Sequence, residues 1–298
     1  MKLNVGIIGI GNIGRIHYRI YNQIKEIEKI YLVDTNPARK REFKEEFLVN
    51  YRNLLGKVNL VSIATPTLFH YEIASFFLKY RIPVLVEKPL TNTVKEASKL
   101  IFLSQQYKTL LFVGHVERYN NAYLAVKKMV KEPKFIECHR LNPYPHRSLD
   151  ISVVLDLMIH DVDIILDLVK DKVKKIEAKG VKVLSSTEDI ANARITFKKG
   201  CVANITSSRI SQKKERKIRI FMKNCYISLD YAQQKVEVYK KIREKIIAST
   251  LRINREEPLK KEIHEFIELV KKKHFSTLYA KKAKDALLVS LNIQKAIT

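Results

Sequence analysis

Three sets of residues in this chain are spaced for chemistry: Gly9-x-Gly11-x-x-Gly14 with Asp34 behind it, Lys88 at the end of an apolar run, and Asp156-x-x-x-His160. The run over residues 3–8 is apolar and rich in β-branched side chains, so it reads as a buried strand. A helix over residues 13–20 follows the glycines, which is the strand–turn–helix setting that a dinucleotide fingerprint requires. The three glycines serve different ends. Gly9 permits the tight turn, Gly11 lets the backbone approach a pyrophosphate, and Gly14 lets the helix pack on the strand. Asn12 and Ile13 open that helix, whose first amides and dipole attract phosphate. A second apolar run, residues 30–33, ends in Asp34, 20 residues after Gly14, where a carboxylate binds a ribose 2′-hydroxyl. A carboxylate there favours NAD; Arg39, Lys40 and Arg41 close by keep NADP as the alternative.

Lys88 follows the apolar run Pro83-Val84-Leu85-Val86. The carboxyl end of a parallel strand is where open α/β sheets bind their ligands. An ammonium there hydrogen-bonds a substrate hydroxyl and stabilises a developing alkoxide. Asp156 and His160 stand four apart, so one helix face carries both, and Asp163 falls near that face. Their helix is otherwise apolar, which makes these polar groups costly unless they are paired or meet a polar cleft. His160 is suited to take a proton near neutral pH, with Asp156 orienting its ring or touching the substrate. An ordinary Asp–His pair on a helix is the structural alternative.

Strand and helix signals alternate through the first 115 residues or so. Helices are expected at 38–47, 70–80 and 93–107, and strands at 58–64, 83–86 and 109–113. The alternation predicts a doubly wound parallel sheet, a Rossmann dinucleotide-binding domain over residues 1–116. The pattern then changes. Helices are expected at 121–130 and 152–169, a strand at 134–141, and β-rich runs at 191–197, 201–207, 217–222, 226–229 and 235–239. Short polar turns such as Lys199-Gly200 leave no room for crossover helices, so this sheet is antiparallel or mixed. Helices at 257–272 and 279–296 close an α+β second domain, residues 117–298, whose C-terminal helix is a candidate to pack back on the first.

The ordered set Gly9-x-Gly11-x-x-Gly14, Asp34, Thr65-Pro66, Glu87-Lys88-Pro89, Gly114 and Asp156-x-x-x-His160 resembles the glucose–fructose oxidoreductase, inositol dehydrogenase and rhizopine-catabolism (Gfo/Idh/MocA) family, over almost the whole chain. The resemblance implies a C-terminal domain with a large open, mainly antiparallel sheet. It also implies a cis bond before Pro89, and oxidation or reduction of a secondary alcohol on a sugar or cyclitol. It adds Thr65, Pro66, His70, Glu87 and Lys88 to the expected cofactor contacts, His70 through the pattern Thr-Pro-x-x-x-His; a packed histidine at a helix start is an equal reading for that residue. Arg118, Tyr119 and Asn120 follow the last strand of the first domain and, with Tyr144 and Arg147, are the expected sugar or phosphate contacts, a structural role being an equal reading for each; Arg147 would clamp a diphosphate bidentately. The stretches 113–120 and 147–161 resemble a subgroup that includes enzymes similar to UDP-N-acetylglucosamine 3-dehydrogenase, which implies a UDP-amino sugar oxidised at its 3-hydroxyl. The alternatives are an inositol or simple-sugar dehydrogenase and a non-catalytic NAD(P)-binding regulator.

The 298 residues, 46% hydrophobic, are enough for two ordinary cores. Apolar runs stop short of membrane-spanning length, and three cysteines without metal spacing suit a reducing compartment, so a cytoplasmic protein without a metal site is expected. The net charge is +25, but Lys and Arg are spread along the whole chain without an aromatic-interleaved basic motif. That distribution fits a solvated surface attractive to anionic ligands, not a specific nucleic-acid partner. The face of the second-domain sheet left bare by helices needs covering, which points to a homodimer or homotetramer.

Overall fold

The computed structural model describes residues 2–144 and 151–297. Its contacts separate two compact units, residues 1–115 with 259–284, and residues 116–258 with 285–298.

The first unit is built on β1 (Leu3–Ile8), β2 (Ile27–Val33), β3 (Glu46–Leu48), β4 (Leu60–Ile63), β5 (Val84–Glu87) and β6 (Leu111–Gly114). All pairs are parallel, in the order β3-β2-β1-β4-β5-β6. This is the doubly wound order, with its switch point beside β1. Within residues 1–115 the helices are α1 (Asn12–Tyr21), α2 (His70–Lys79) and α3 (Val94–Gln106). Thr93 and Glu96 close a reciprocal capping box on α3, satisfying two otherwise orphaned amides. The expected helix over 38–47 is not formed. Pro37–Glu42 makes a 3₁₀ turn, and Glu46–Leu48 is instead drawn into the sheet beside Tyr31–Val33. Three basic residues in succession, Arg39 to Arg41, offer no apolar stripe to hold a longer helix there.

The second unit carries α4 (Asn121–Lys127), β7 (Phe135–Leu141), a π-helical turn at Val154–Met158 and α5 (Ile159–Val169). The remaining strands are β8 (Val173–Val181), β9 (Ile190–Phe197), β10 (Val202–Ser208), β11 (Glu215–Met222), β12 (Cys225–Asp230), β13 (Lys235–Ile242) and β14 (Lys245–Thr250). Eight strands form one sheet, β14-β13-β12-β11-β7-β10-β9-β8, antiparallel except for the parallel β7–β10 pair. β14 lies beyond the last expected strand. Side chains alternate along each strand: Ala191, Ala193, Ile195 and Phe197 of β9 are buried in the core with Val154, Met158 and Ile165. On the other face a ladder of rings, Phe135, Phe221, Tyr226 and Tyr239, crosses four strands with centroids 4.8–5.6 Å apart. α6 (Pro258–Lys271) and α7 (Leu278–Ala296) end the chain. Among the described residues no helix is long and apolar enough to cross a membrane.

Candidate active site

Gly9 has φ +88°, and a Cβ on it would lie 2.8 Å from the backbone of Ala64 and Thr65. A Cβ on Gly14 would lie 1.9 Å from the Gly9 carbonyl oxygen. Neither position accepts a side chain without opening the turn. Gly11 is the N-cap of α1, and no side chain caps that helix, so the first-turn amides at Asn12 and Ile13 are left for an anion. These features fit a dinucleotide pyrophosphate. Asp34 sits at the end of β2, 10% exposed, and is drawn toward the turn: Oδ2 accepts from the Ile10 amide at 2.8 Å and from Arg39 Nη1 at 2.7 Å, while Oδ1 accepts from the Asn36 amide. The acid expected to read the ribose is thus paired with one of the three neighbouring cations.

Lys88 follows β5 directly, and the Lys88–Pro89 peptide is cis. The residues on either side of it are each tied to a buried imidazole. His17, on α1 and 0% exposed, places Nε2 3.0 Å from Glu87 Oε1 and Nδ1 2.6 Å from Ser62 Oγ. Burial pushes the Glu87 carboxyl up, but the His17 hydrogen bond and charge, with Lys88 beside it, hold it below its ordinary value. Glu87 pairs with Gly114 across the sheet, and a Cβ there would meet both the Glu87 and Glu262 carboxyls at 3.1–3.3 Å. His70, 1% exposed at the start of α2, places Nδ1 2.9 Å from the Pro89 carbonyl oxygen and Nε2 2.9 Å from that of Thr65. Burial depresses its basicity, against the opposing pull of those two carbonyls.

In the second unit, the expected single helix over 152–169 is divided. The stretch containing Asp156 is the π-helical turn, and the α-helical part starts just before His160. Such a turn costs backbone geometry and recurs at functional sites. The carboxylates further along are spent internally. Arg140, 2% exposed, forks onto Asp161 at 2.8 and 2.9 Å and reaches Glu117 at 2.9 Å. Arg118 forks onto Asp163 at 2.6 and 2.8 Å and reaches Asp167 at 2.9 Å. Three buried aspartates of α5 are therefore neutralised by cations of neighbouring segments, as burial of charge demands. Asp156, on the π-helical turn, and His160, in the first turn of α5, are both half-buried.

Several expected contacts take other places. Arg118 is locked in ion pairs with α5, and Asn120 is buried, capping α4 through Ala122 and donating to the Tyr231 carbonyl at 3.0 Å. The Arg118–Asp163 and Asn120–Tyr231 bonds are tertiary pairings that local sequence does not announce. Tyr119 and Tyr144 are half-buried, and Arg147 lies outside the described residues. His70 is bonded inside the unit to protein carbonyls. Sequence reasoning passed over His17 and the buried pair Asp189–Arg209. His17 had a signal: it lies three residues after Gly14, on the face of α1 that meets the sheet.

A parallel sheet with a dinucleotide turn, joined in one chain to an open antiparallel sheet, defines a two-domain nicotinamide oxidoreductase. Residues 3–115 match the model of the oxidoreductase family with NAD-binding Rossmann fold, and residues 123–228 match the GFO/IDH/MocA C-terminal domain. The chain belongs to the Gfo/Idh/MocA oxidoreductase family, and its first domain is the NAD-binding one. It is 33% identical over 244 residues to the UDP-N-acetylglucosamine 3-dehydrogenase of Acidithiobacillus ferrooxidans, covering 80% of this chain and 77% of that protein. A solved structure of that enzyme superposes with a TM-score of 0.92 at 28% identity, over 100% of this chain and 98% of the other. The myo-inositol 2-dehydrogenase of Thermotoga maritima is 26% identical over 70% of this chain and 69% of its own length.

Proposed function

We propose that this oxidoreductase acts on a UDP-amino sugar, UDP-N-acetylglucosamine in the first instance, and oxidises its 3-hydroxyl to a ketone. The 33% identity to an enzyme of that name, sustained over four-fifths of the chain, carries the choice of substrate. When bound, NAD would supply the acceptor for the hydride of the carbinol carbon. The glycine turn and the first amides of α1 hold its phosphates, and Asp34 accepts from the adenosine ribose; Thr65, Pro66 and Glu87 belong to the same side of the unit. Lys88 polarises the sugar hydroxyl and stabilises negative charge on its oxygen. His160 takes the hydroxyl proton, and Asp156 orients its ring. Tyr119 and Tyr144 are assigned to the substrate, with Arg147 for the diphosphate.

Initial rates read at the NADH absorbance, with UDP-N-acetylglucosamine, myo-inositol and free glucose side by side, test this reading. Turnover of the sugar nucleotide alone supports it. Faster turnover of inositol transfers the assignment to a cyclitol, which the similarity to an inositol dehydrogenase would then explain. NADH binding without turnover of any of them leaves a regulatory protein.

Cofactor choice rests on Asp34. Replacing it by Ala removes the carboxylate from the ribose and frees Arg39, whose Nη1 lies 3.9 Å from the position of a Gly11 Cβ, for a 2′-phosphate. The ratio of kcat/KM for NAD over NADP is expected to fall by about tenfold or more. An unchanged ratio refutes the role.

The ring ladder on the open sheet face supports a symmetric dimer or tetramer closed through that face. Tyr226→Glu with Tyr239→Glu is expected to give a monomer by light scattering; an unaltered mass places the interface elsewhere. Three free cysteines fit a cytoplasmic location.

A further inference from the structure

Lys88 is flanked by two residues that are fixed from below by two different helices. On the N-terminal side, α1 supplies His17, bonded to the Glu87 carboxylate at 3.0 Å and braced behind by Ser62 at 2.6 Å. On the C-terminal side, α2 supplies His70, bonded to the Pro89 carbonyl at 2.9 Å and braced behind by the Thr65 carbonyl at 2.9 Å. Both rings are fully buried, at 0% and 1% exposure, so neither is placed to meet a ligand. Both use one nitrogen toward the Lys88 segment and the other toward β4 or the turn that follows it. The two nitrogens are used in opposite senses: His17 reaches the Lys88 segment with Nε2, and His70 reaches it with Nδ1.

We propose that His17 and His70 form a clamp that sets the position of the Lys88 ammonium, acting as positioning residues without touching substrate or cofactor. The proposal rests on Lys88 being the group that polarises the alcohol. A lysine side chain has four rotatable bonds, so its reach is definite only if its backbone is. The clamp fixes that backbone at the residues immediately before and after it, and ties it to the glycine-turn helix α1 on one side and the Thr65 turn on the other. Misplacement of a reacting group by about 1 Å costs on the order of 10²-fold in rate.

The opposite use of the two nitrogens gives a crossed test. An Asn side chain puts its amide where histidine has Nδ1, and Gln puts it near Nε2. H17Q therefore retains the bond to Glu87, and H17N loses it. H70N retains the bond to Pro89, and H70Q loses it. The proposal expects kcat for UDP-N-acetylglucosamine oxidation to fall about 10- to 100-fold in H17N and H70Q, with KM and the NADH dissociation constant little changed, and to stay near wild type in H17Q and H70N. A second measurement needs no substrate. Brief acetylation with acetic anhydride, quantified by peptide mass spectrometry against the exposed Lys95, reads how freely the Lys88 amine moves. Its labelling is expected to rise about threefold or more in H17N and H70Q and to match wild type in the other two.

If labelling and rates do not follow the crossed pattern, with Asn and Gln acting alike at each site or the same amide restoring both, the clamp is refuted and the histidines only pack. The reading of Lys88 itself fails separately, by a Lys88→Ala variant that keeps the wild-type rate. The choice of substrate fails separately again, by a wild-type protein that does not oxidise the sugar nucleotide, and the labelling pattern still decides the clamp in that case.

Discussion

Lys88→Ala is expected to lower kcat about 10³-fold while the NADH dissociation constant stays within about twofold. As a secondary alcohol is oxidised, negative charge builds on its oxygen while the proton leaves and is discharged into the neutral ketone as the hydride departs, so a fixed cation next to that oxygen acts on the transition state more than on the bound alcohol. Lys88 occupies the carboxyl end of β5, where ligands of an open parallel sheet bind, on a segment held at both ends by buried imidazoles. The cofactor contacts proposed for the same unit, the glycine turn and Asp34, follow β1 and β2 and keep their own hydrogen bonds when the lysine is truncated. Binding and turnover should therefore separate in this variant. Lys88→Arg is not expected to restore the rate, because a planar fork does not reproduce a compact point charge on a flexible stem. The check is a pair of measurements on the same preparation: NADH titration by its own fluorescence, in a chain without tryptophan to interfere, and initial rates with UDP-N-acetylglucosamine. A variant that turns over at the wild-type rate removes Lys88 from the chemistry; one that loses NADH binding as well makes it a structural residue of the cofactor domain.

What could be read from the chain before its structure was known follows a physical division. The glycine turn, Asp34 and Lys88 are local: a few consecutive dihedrals at the ends of strands decide them, and residue type reports directly on those. The parallel sheet was legible for the same reason, since buried strands alternating with helices leave a periodic record. Contacts made by tertiary pairing left none. Arg118 is an arginine after a strand in sequence; that it is bound to Asp163, 45 residues on, is known only once α5 is folded against it. β3 is three residues long and exists because β2 offers an open edge, which no propensity in Glu46-Phe47-Leu48 requires. The π-helical turn at Val154–Met158 contains no glycine or proline to mark it and reads as ordinary apolar helix. His17 and His70 stood in view as residue types, but their service to a lysine 71 and 18 positions later depends on the sheet bringing α1, α2 and the end of β5 together.

The least legible part of the second unit yields its largest stability effect. Asp189→Asn is expected to destabilise that unit by about 3–5 kcal/mol at pH 7. The Asp189 carboxylate is 0% exposed; Oδ2 accepts the amides of Val183, Leu184 and Ser185 at 2.8, 2.6 and 2.9 Å, and Oδ1 accepts Arg209 Nε at 2.8 Å. Arg209, equally buried, spends its remaining donors on the Ile151 carbonyl and on the Ser185 and Thr187 hydroxyls. Every group facing the carboxylate is a donor. An Asn amide turns its own donors against either the three amides or the arginine, and it leaves the buried guanidinium without a counter-charge. The pH dependence has a definite sign. Burial works to raise the Asp189 carboxyl, but the Ser185 hydroxyl, the loop amides and Arg209 hold it far below its ordinary value. A depressed folded-state value means that the unfolded chain takes up the proton first. The stabilisation is complete well above the unfolded value of about 3.9 and drains away as pH falls below it. The gap between wild type and Asp189→Asn, followed by calorimetry or far-ultraviolet circular dichroism, should therefore be widest near neutrality and shrink through the acid range; a gap that is constant with pH denies the charge its role. The same variant bears on activity. Thr187 Oγ1 and Arg209 both donate to the Ile151 carbonyl, and the Val153 amide donates to Glu188, so this cluster anchors the entry to the turn that carries Asp156 and leads to His160. Below its melting temperature, Asp189→Asn should accordingly lose kcat through His160 while the first unit binds NADH as the wild type does, which makes it the counterpart in the second unit of Lys88→Ala in the first.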